Sequence, residues 1–404
     1  MERLDLMVHD SQAQRPRLVE AKSDSLVRPM EMSARFKWTG QLTDLDAAVA
    51  DLGAAVAAAV ADHPDRATWL FARGRLLAER FEHTDEQADL VAAVAAVQGA
   101  VAAAGADHPG RISYLCFLCG LLCTRAHLSG QLVDLDAAIA ASREAVAALG
   151  ADPGNLPGEG QMNLGGLLLH RFNISGQLVD LDEGVTVYQE AVAATPGDHP
   201  DRGARLNALG LALLGRFWRT RHLGDLDAAV TAMRQAVDST PEYHQDRAER
   251  LGNLGFALLA RFERTGQLSD LDAGVIAAQQ CLGGTPVYHP YRAVRLDILG
   301  AALRMRFEQF GRPGDLDAAV TALRQAVDST PEHHPDRAGR FDALAVALRM
   351  GVERAKKPAD LTAAVSTAPH AEGGTSSMPS AEIVPGVAEE SVEQAAQRPD
   401  GRAR

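Results

Sequence analysis

Aromatic residues are scarce, at 5% of a 404-residue chain, and the Val/Ile/Thr alternation of half-buried strands is missing. An alanine-rich sequence with these gaps favours helices over a sandwich or barrel. Cysteine is rarer still. Four in so long a chain make no disulfide framework and fit a reducing compartment. Basic residues number 40 against 53 acidic ones, leaving a formal net charge of −13. With no basic stripe to offset it, that balance argues against a nucleic-acid backbone or an anionic membrane as the partner. No run of about 18 uncharged apolar residues occurs, and the first thirty residues hold no apolar signal core, so a cytoplasmic protein without a membrane span is expected. There is no P-loop, no GxGxxG after a strand, no HExxH and no GxSxG. We assign no catalytic residue, cofactor or metal from sequence and expect no enzyme activity.

What is present is a repeat. Asp225-Leu226-Asp227-Ala228-Ala229-Val230 returns unchanged at Asp315–Val320, with close variants beginning at Asp44, Asp89, Asp134, Asp180, Asp270 and Asp360. Successive copies are 45, 45, 46, 45, 45, 45 and 45 residues apart. A fixed period of this size marks a solenoid or array, in which each unit packs against its neighbours.

Residues 199–241 show one unit whole. His199-Pro200-Asp201-Arg202 is expected to open a first helix, with Pro at its first position and Asp in its first turn. Leu206, Leu209, Leu213 and Phe217 make an apolar stripe at helical spacing. Glycine follows the Phe position by four residues at Gly40, Gly130, Gly176, Gly266 and Gly311, the place of a left-handed helix terminus. Asp85 and Arg221 break that rule, so their turns are expected to differ. Asp225 is read as the N-cap of a second helix, whose stripe is Leu226, Val230, Met233 and Val237. Ala229 and Ala236 let the paired helices approach closely, and Thr240-Pro241 stops the second one.

The expected domain plan has three parts. Residues 1–32 form an irregular segment in which Arg28-Pro29 breaks any helix. Residues 33–367 form about six full units with partial units at each end. Residues 368–404, rich in Pro, Gly, Ser, Ala and Glu, form a disordered tail. A looser connection is expected near 150–157, where the 46-residue step falls.

The unit resembles the tetratricopeptide repeat (TPR). Leu209-Gly210, Ala229, Ala236 and Pro241 occupy that family's places, with its steps of seven and five residues between the last three. Gly210 to Ala229 is seven residues longer than in the family, about two helical turns. The wording HPDRA, RFERTG and DLDAAV is similar to the long TPR-type arrays of actinobacterial proteins that often precede a CHAT domain, a caspase-like protease module. The module itself is not visible. The resemblance implies an all-α fold, an α-solenoid wound as a right-handed superhelix of period 45. It also implies a scaffold or adaptor that binds a protein or peptide in a groove, or alternatively the regulatory region of a caspase-like protease system.

Three patterns invite sharper readings. Cys116, Cys119 and Cys123 share one face of a helix, as a metal site would, but the segment YLCFLCGLLC reads as core, where free Cys behaves as a hydrophobe. Cys281 is read the same way. His63, His108, His199, His244, His289 and His334 recur at one repeat position; equivalent helices about 8–10 Å apart are too distant to share a metal, so these His are expected to cap the inter-repeat turn. The Arg of the HPDR motif (Arg66, Arg202, Arg247, Arg337) is expected to pair with the DLD carboxylates of a neighbouring helix.

Positions that repeat build the fold, so specificity is expected where units differ. On the first helices those positions include Asn207, Leu211, Leu214 and Trp218, then Phe256 and Glu263, then Asp297, Arg304 and Glu308. Their spacing of four, three and four residues puts each set on one helix face. By resemblance, that face is nominated as partner-binding, with Trp218 as its anchor.

Overall fold

The computed structural model describes residues 24–150 and 158–355. Within them lie fifteen helices and no strand. The helices are α1 (Asp24–Thr39), α2 (Leu42–Ala58), α3 (Arg66–Thr84), α4 (Gln87–Ala103), α5 (Arg111–Ser129), α6 (Leu132–Gly150), α7 (Glu159–Ser175), α8 (Leu178–Ala193), α9 (Arg202–Thr220), α10 (Leu223–Asp238), α11 (Arg247–Thr265), α12 (Leu268–Gly283), α13 (Arg292–Phe310), α14 (Pro313–Asp328) and α15 (Arg337–Ala355). Odd-numbered helices are the first and even-numbered ones the second of each repeat. The architecture is all-α and built of helix–turn–helix repeats, the α-solenoid class. The chain forms two compact units that meet between Ala194 and Thr195. The first holds α1 to α8, the second α9 to α15.

Each hairpin closes over the stripes expected from sequence. In the second unit Leu206, Leu213, Phe217, Leu226, Val230 and Met233 are buried, each large apolar side chain stabilising the fold by about 1.5–3 kcal/mol against exposure. Ala229 and Ala236 are fully covered. A Cβ on Gly210 would lie 2.6 Å from Cγ of Met233 and 3.4 Å from the Ala229 carbonyl oxygen, so the Leu-Gly pair is where first and second helices come nearest. Helix α5 has the length and hydropathy of a membrane span. It packs as a core helix instead, with Leu115, Leu118, Leu121 and Leu122 buried and Arg125 bonded to Asp134.

The turn between the two helices is uniform. Gly40, Gly130, Gly176, Gly266 and Gly311 all take the left-handed conformation, with φ between 63° and 68°. Asp85 and Arg221, expected to differ, do not: their φ values are 56° and 60°, and each donates its N–H to the carbonyl four residues back, as the glycines do. Tertiary packing imposes the turn, and these two side chains accept its backbone strain.

Other expectations need correction. The second helix starts two residues before the DLD motif, so Asp225 is its third residue and not its N-cap. Its carboxylate turns back onto the first helix, where Arg216 takes it by Nε at 3.1 Å and Nη2 at 2.7 Å. The first helix starts at the Arg of HPDR, with Pro200 outside it and Asp201 at its N-cap. At Arg66, Arg247 and Arg337 that side chain bonds backbone carbonyls and not the DLD carboxylates. Arg66 donates to the carbonyls of Val56 and Ala59, Arg111 to Val101 and Ala104, and Arg247 to Val237 and Thr240. It thus satisfies the orphan carbonyls ending the preceding second helix. Pro29 does not break the chain: α1 runs through it. As the sixth residue it forfeits a single helical hydrogen bond near the N-terminus, where the loss costs least. The repeat array therefore reaches back to Asp24. The helix expected at Asp360, the tail 368–404 and the connection at 151–157 lie outside the described residues.

Candidate functional site

The nominated face can now be placed on α9, α11 and α13 of the second unit. Its upper part is interior. Asn207, Leu211 and Leu214 are buried, and the Asn253 Nδ2 donates to the Asn207 Oδ1 at 3.0 Å, joining α11 to α9. A buried amide must find such a partner. All three are covered and offer little surface to a partner, and Asn207 ties α9 to the next repeat; the i, i+4, i+7 spacing that selected them is equally the spacing of an inter-helix seam.

The lower part is accessible. Trp218 is half-buried, its ring 5.2 Å from Phe217 and 6.4 Å from Phe256. The Arg221 guanidinium lies 4.9 Å from the Trp218 ring centroid, within range of a cation–π contact. Trp218 thus packs toward the next repeat while keeping part of its surface accessible. Phe256 is also half-buried, and Glu263 and Glu308 are exposed. Arg304 pairs with Glu308 one turn along α13. Desolvation pushes the Glu263 carboxyl above its ordinary range, with Arg264 and Arg304 pulling the other way.

Asp297 lies higher on α13 and is half-buried. Its Oδ2 is 3.6 Å from Nε of Arg340 on α15. Burial pushes this carboxyl up to about 6; Arg340 counteracts and the nearby Asp336 reinforces. Taken together, the accessible residues form an aromatic pair bordered by charges of both signs.

The remaining sequence candidates serve structure. Cys119 is buried and its thiol donates to the Ala138 carbonyl at 3.3 Å. Burial, with the Cys116 and Cys123 thiols beside it, pushes it up to about 12. Such a thiol is inert as a nucleophile. Cys281 is buried as expected. Among the described residues, no three His, Cys, Asp or Glu side chains converge on a metal-sized point. The repeated His do cap the turn. Nδ1 of His63, His108, His199, His244, His289 and His334 each accepts a backbone N–H from two residues on, at 3.0–3.2 Å.

Two features escaped the sequence reading. The first is the arginine nine residues before each DLD motif. Arg80, Arg125, Arg171, Arg261 and Arg306 each hold the first Asp of their own hairpin. Arg80, Arg171, Arg261 and Arg306 also reach the second Asp of the preceding one, at Asp46, Asp136, Asp227 and Asp272. The second feature is a row of buried arginines in the second unit, Arg205, Arg250, Arg295 and Arg340. Each donates to the hydroxyl of the Thr closing the previous second helix: Thr195, Thr240, Thr285 and Thr330. In the first unit the same positions carry Trp69 and Tyr114, both buried, opposite Ala59 and Ala104.

No family model and no curated protein matches the sequence. Solved structures do. MamA is 18% identical with a TM-score of 0.34, over 51% of this chain and 92% of that one. A putative kinesin light chain from Podosopora anserina with nearly identical TPR-like repeats is 20% identical, TM-score 0.38, over 51% and 94%. A tetratricopeptide repeat protein from Parabacteroides merdae is 12% identical, TM-score 0.41, over 79% and 98%.

Proposed function

We propose that this chain is a protein-interaction scaffold whose second unit receives a protein or peptide partner on the first-helix surface around Trp218. The observation that carries this reading is the Trp218–Phe256 pair. Two aromatic rings from consecutive repeats lie side by side, half-covered, with Arg221, Glu263, Arg304 and Glu308 at the margin. Binding energy concentrates at such half-buried aromatic anchors with polar rims. The repeat design supports the reading too: recurring side chains such as Arg261 and Arg250 tie one repeat to the one before, which yields a preformed surface. The reading carries no enzymatic role and no nucleic-acid or membrane partner, and it places the protein in the cytoplasm.

A second reading makes the chain the regulatory region of a CHAT-type, caspase-like protease system. It is favoured by the wording of the 45-residue unit, and it predicts a caspase-like partner. The test serves both. The full chain is used as bait in lysate, beside a bait carrying Trp218→Ala, Glu263→Lys and Arg304→Glu. A stoichiometric partner lost with the altered bait supports the scaffold and its surface, and a caspase-like identity supports the second reading. A partner retained by the altered bait rejects the surface, and no specific partner rejects the scaffold.

A further inference from the structure

First helices meet the first helix of the preceding repeat along one side. Phe117 of α5 stands edge-on to Phe71 of α3, their centroids 5.5 Å apart. Glu79 of α3 accepts from the Ser33 hydroxyl of α1 at 3.2 Å, and His83 of α3 packs edge-on against Phe36 of α1 at 4.8 Å. In the second unit Phe256 of α11 lies against Trp218 of α9. Counted back by the repeat, these four positions fall on Val27, Ala34, Trp38 and Met30 of α1. In chain order they lie 3, 4 and 4 residues apart and make one stripe along the helix. Every member is apolar. Met30 is 55% and Trp38 92% exposed, and Val27 and Ala34 are exposed as well. Leu26, Met32 and Phe36, on the opposite side, pack into the core of the first unit. Helix α1 thus carries a seam shaped for a first helix, and among the described residues no helix precedes it.

The seam needs a first helix, and the two ends of the array differ in what they offer. On α15 the positions of Asn207, Leu214 and Trp218 are held by Asp342, Arg349 and Glu353, all exposed. Stacking that surface of one copy on α1 of another would desolvate charges against an apolar stripe that cannot pair them. A second α1 carries no such penalty, because the stripe is self-complementary. Turned antiparallel about its midpoint, Trp38 falls opposite Val27 and Met30 opposite Ala34, a large side chain against a small one at each level, as close packing requires. Glu31 and Arg35 stand one helical turn apart on one border of the stripe, and the Arg35 side chain stays 61% exposed beside Asp44. The same turn brings Glu31 of each copy to Arg35 of the other, a pairing that fixes orientation.

We propose that α1 is a homodimerisation surface through which two copies of this chain join, antiparallel about a two-fold axis, with Met30 and Trp38 as its anchors. The contact gives the outermost helix the neighbour that later first helices find within the chain. It uses none of the residues assigned to the partner above. Only a few side chains from each copy take part, so the affinity belongs in the micromolar range.

The test is sedimentation of the full chain over a concentration series. The wild type should pass from monomer to dimer at micromolar concentrations. Met30→Glu, at an exposed position where folding tolerates it, sets a carboxylate in the seam and should raise the dissociation constant roughly thirtyfold or more, the loss of a buried anchor. Tyr288→Glu, at a side chain 96% exposed elsewhere, should leave it unchanged. Air oxidation reads the orientation. Val27→Cys combined with Trp38→Cys in one chain should give a disulfide-linked dimer. Val27→Cys alone should not exceed the wild type, because the two copies of residue 27 would lie about 16 Å apart along the helices. A wild type that stays monomeric, a dimer that Met30→Glu leaves intact, or cross-linking by Val27→Cys alone would overturn the dimer. A chain that dimerises only when residues 1–23 are removed would overturn it too, by giving the stripe to the chain's own N-terminal segment.

Discussion

Arg261 grips Asp270 with two parallel hydrogen bonds, Nε to Oδ2 and Nη2 to Oδ1, both at 2.7 Å. The carboxylate is almost fully covered and the guanidinium nearly so. With its remaining nitrogen the same guanidinium reaches Asp227 of the preceding hairpin at 3.2 Å. Removing Arg261 strands a buried carboxylate. Arg261→Ala should destabilise the chain by about 3 kcal/mol, measured by urea unfolding. Arg261→Lys should recover less than half of that, because an ammonium cannot reproduce the planar two-pronged grip. Full recovery by Lys would mean that charge alone is what counts.

Asp85 takes a left-handed backbone conformation, φ 56°, where five sister turns use glycine. No hydrogen bond to its carboxylate offsets that strain among the described residues. Asp85→Gly should raise stability by about 0.5–1 kcal/mol. Arg221→Gly removes similar strain but also the contact with Trp218, worth a comparable amount, so its net effect should be close to zero. Thermal unfolding of the two variants side by side separates the terms.

The two units lock their repeats differently, and the locks should be exchangeable only as pairs. Thr240→Ala leaves Arg250, 3% exposed, without its hydroxyl partner and should cost about 1–3 kcal/mol. Arg250→Tyr sets an aromatic ring against a hydroxyl and should cost a similar amount. The double variant imitates Tyr114 opposite Ala104 and should cost clearly less than the sum. A double-mutant cycle with coupling under about 0.5 kcal/mol would show the pairing to be incidental.

Helices meet closely at Gly210, where a Cβ would stand 2.6 Å from Met233 Cγ, close to the root of that side chain, and 3.4 Å from the Ala229 carbonyl oxygen. Gly210→Ala should therefore cost about 2 kcal/mol and Gly210→Val about 3 kcal/mol. Equal losses would place the constraint in the backbone instead.

The repeat made the fold legible before any coordinates. Period, apolar stripes, small residues and left-handed glycines each named an element that exists. The misplaced details have one physical source. Asp is good both as an N-cap and as an arginine partner, and single-sequence reading chose the local role where the side chain serves the tertiary one. The arginine nine residues upstream was the available signal, since it recurs with the DLD motif in every hairpin. The candidate surface was only half legible. Helical spacing gives direction around one helix but not the position of the next, so Asn207, Leu211 and Leu214 looked like partners for another molecule while all three are buried and Asn207 bonds the adjacent repeat. Trp218 and Phe256 were separable from them only once the neighbouring ring was in view.

The arginine that holds one aspartate of its own hairpin and one of the hairpin before, as Arg80, Arg171, Arg261 and Arg306 do, gives those junctions a donor side and an acceptor side. Arg171 still reaches Asp136 at 2.5 Å, although the 46-residue step lies between their hairpins. Register is thus carried by the joint and not by the length of chain that crosses it. A gene segment of one period, copied in phase, would arrive with both halves of the joint it needs. The chain can be lengthened or shortened by whole modules without redesign, and its connecting turns are free to diverge.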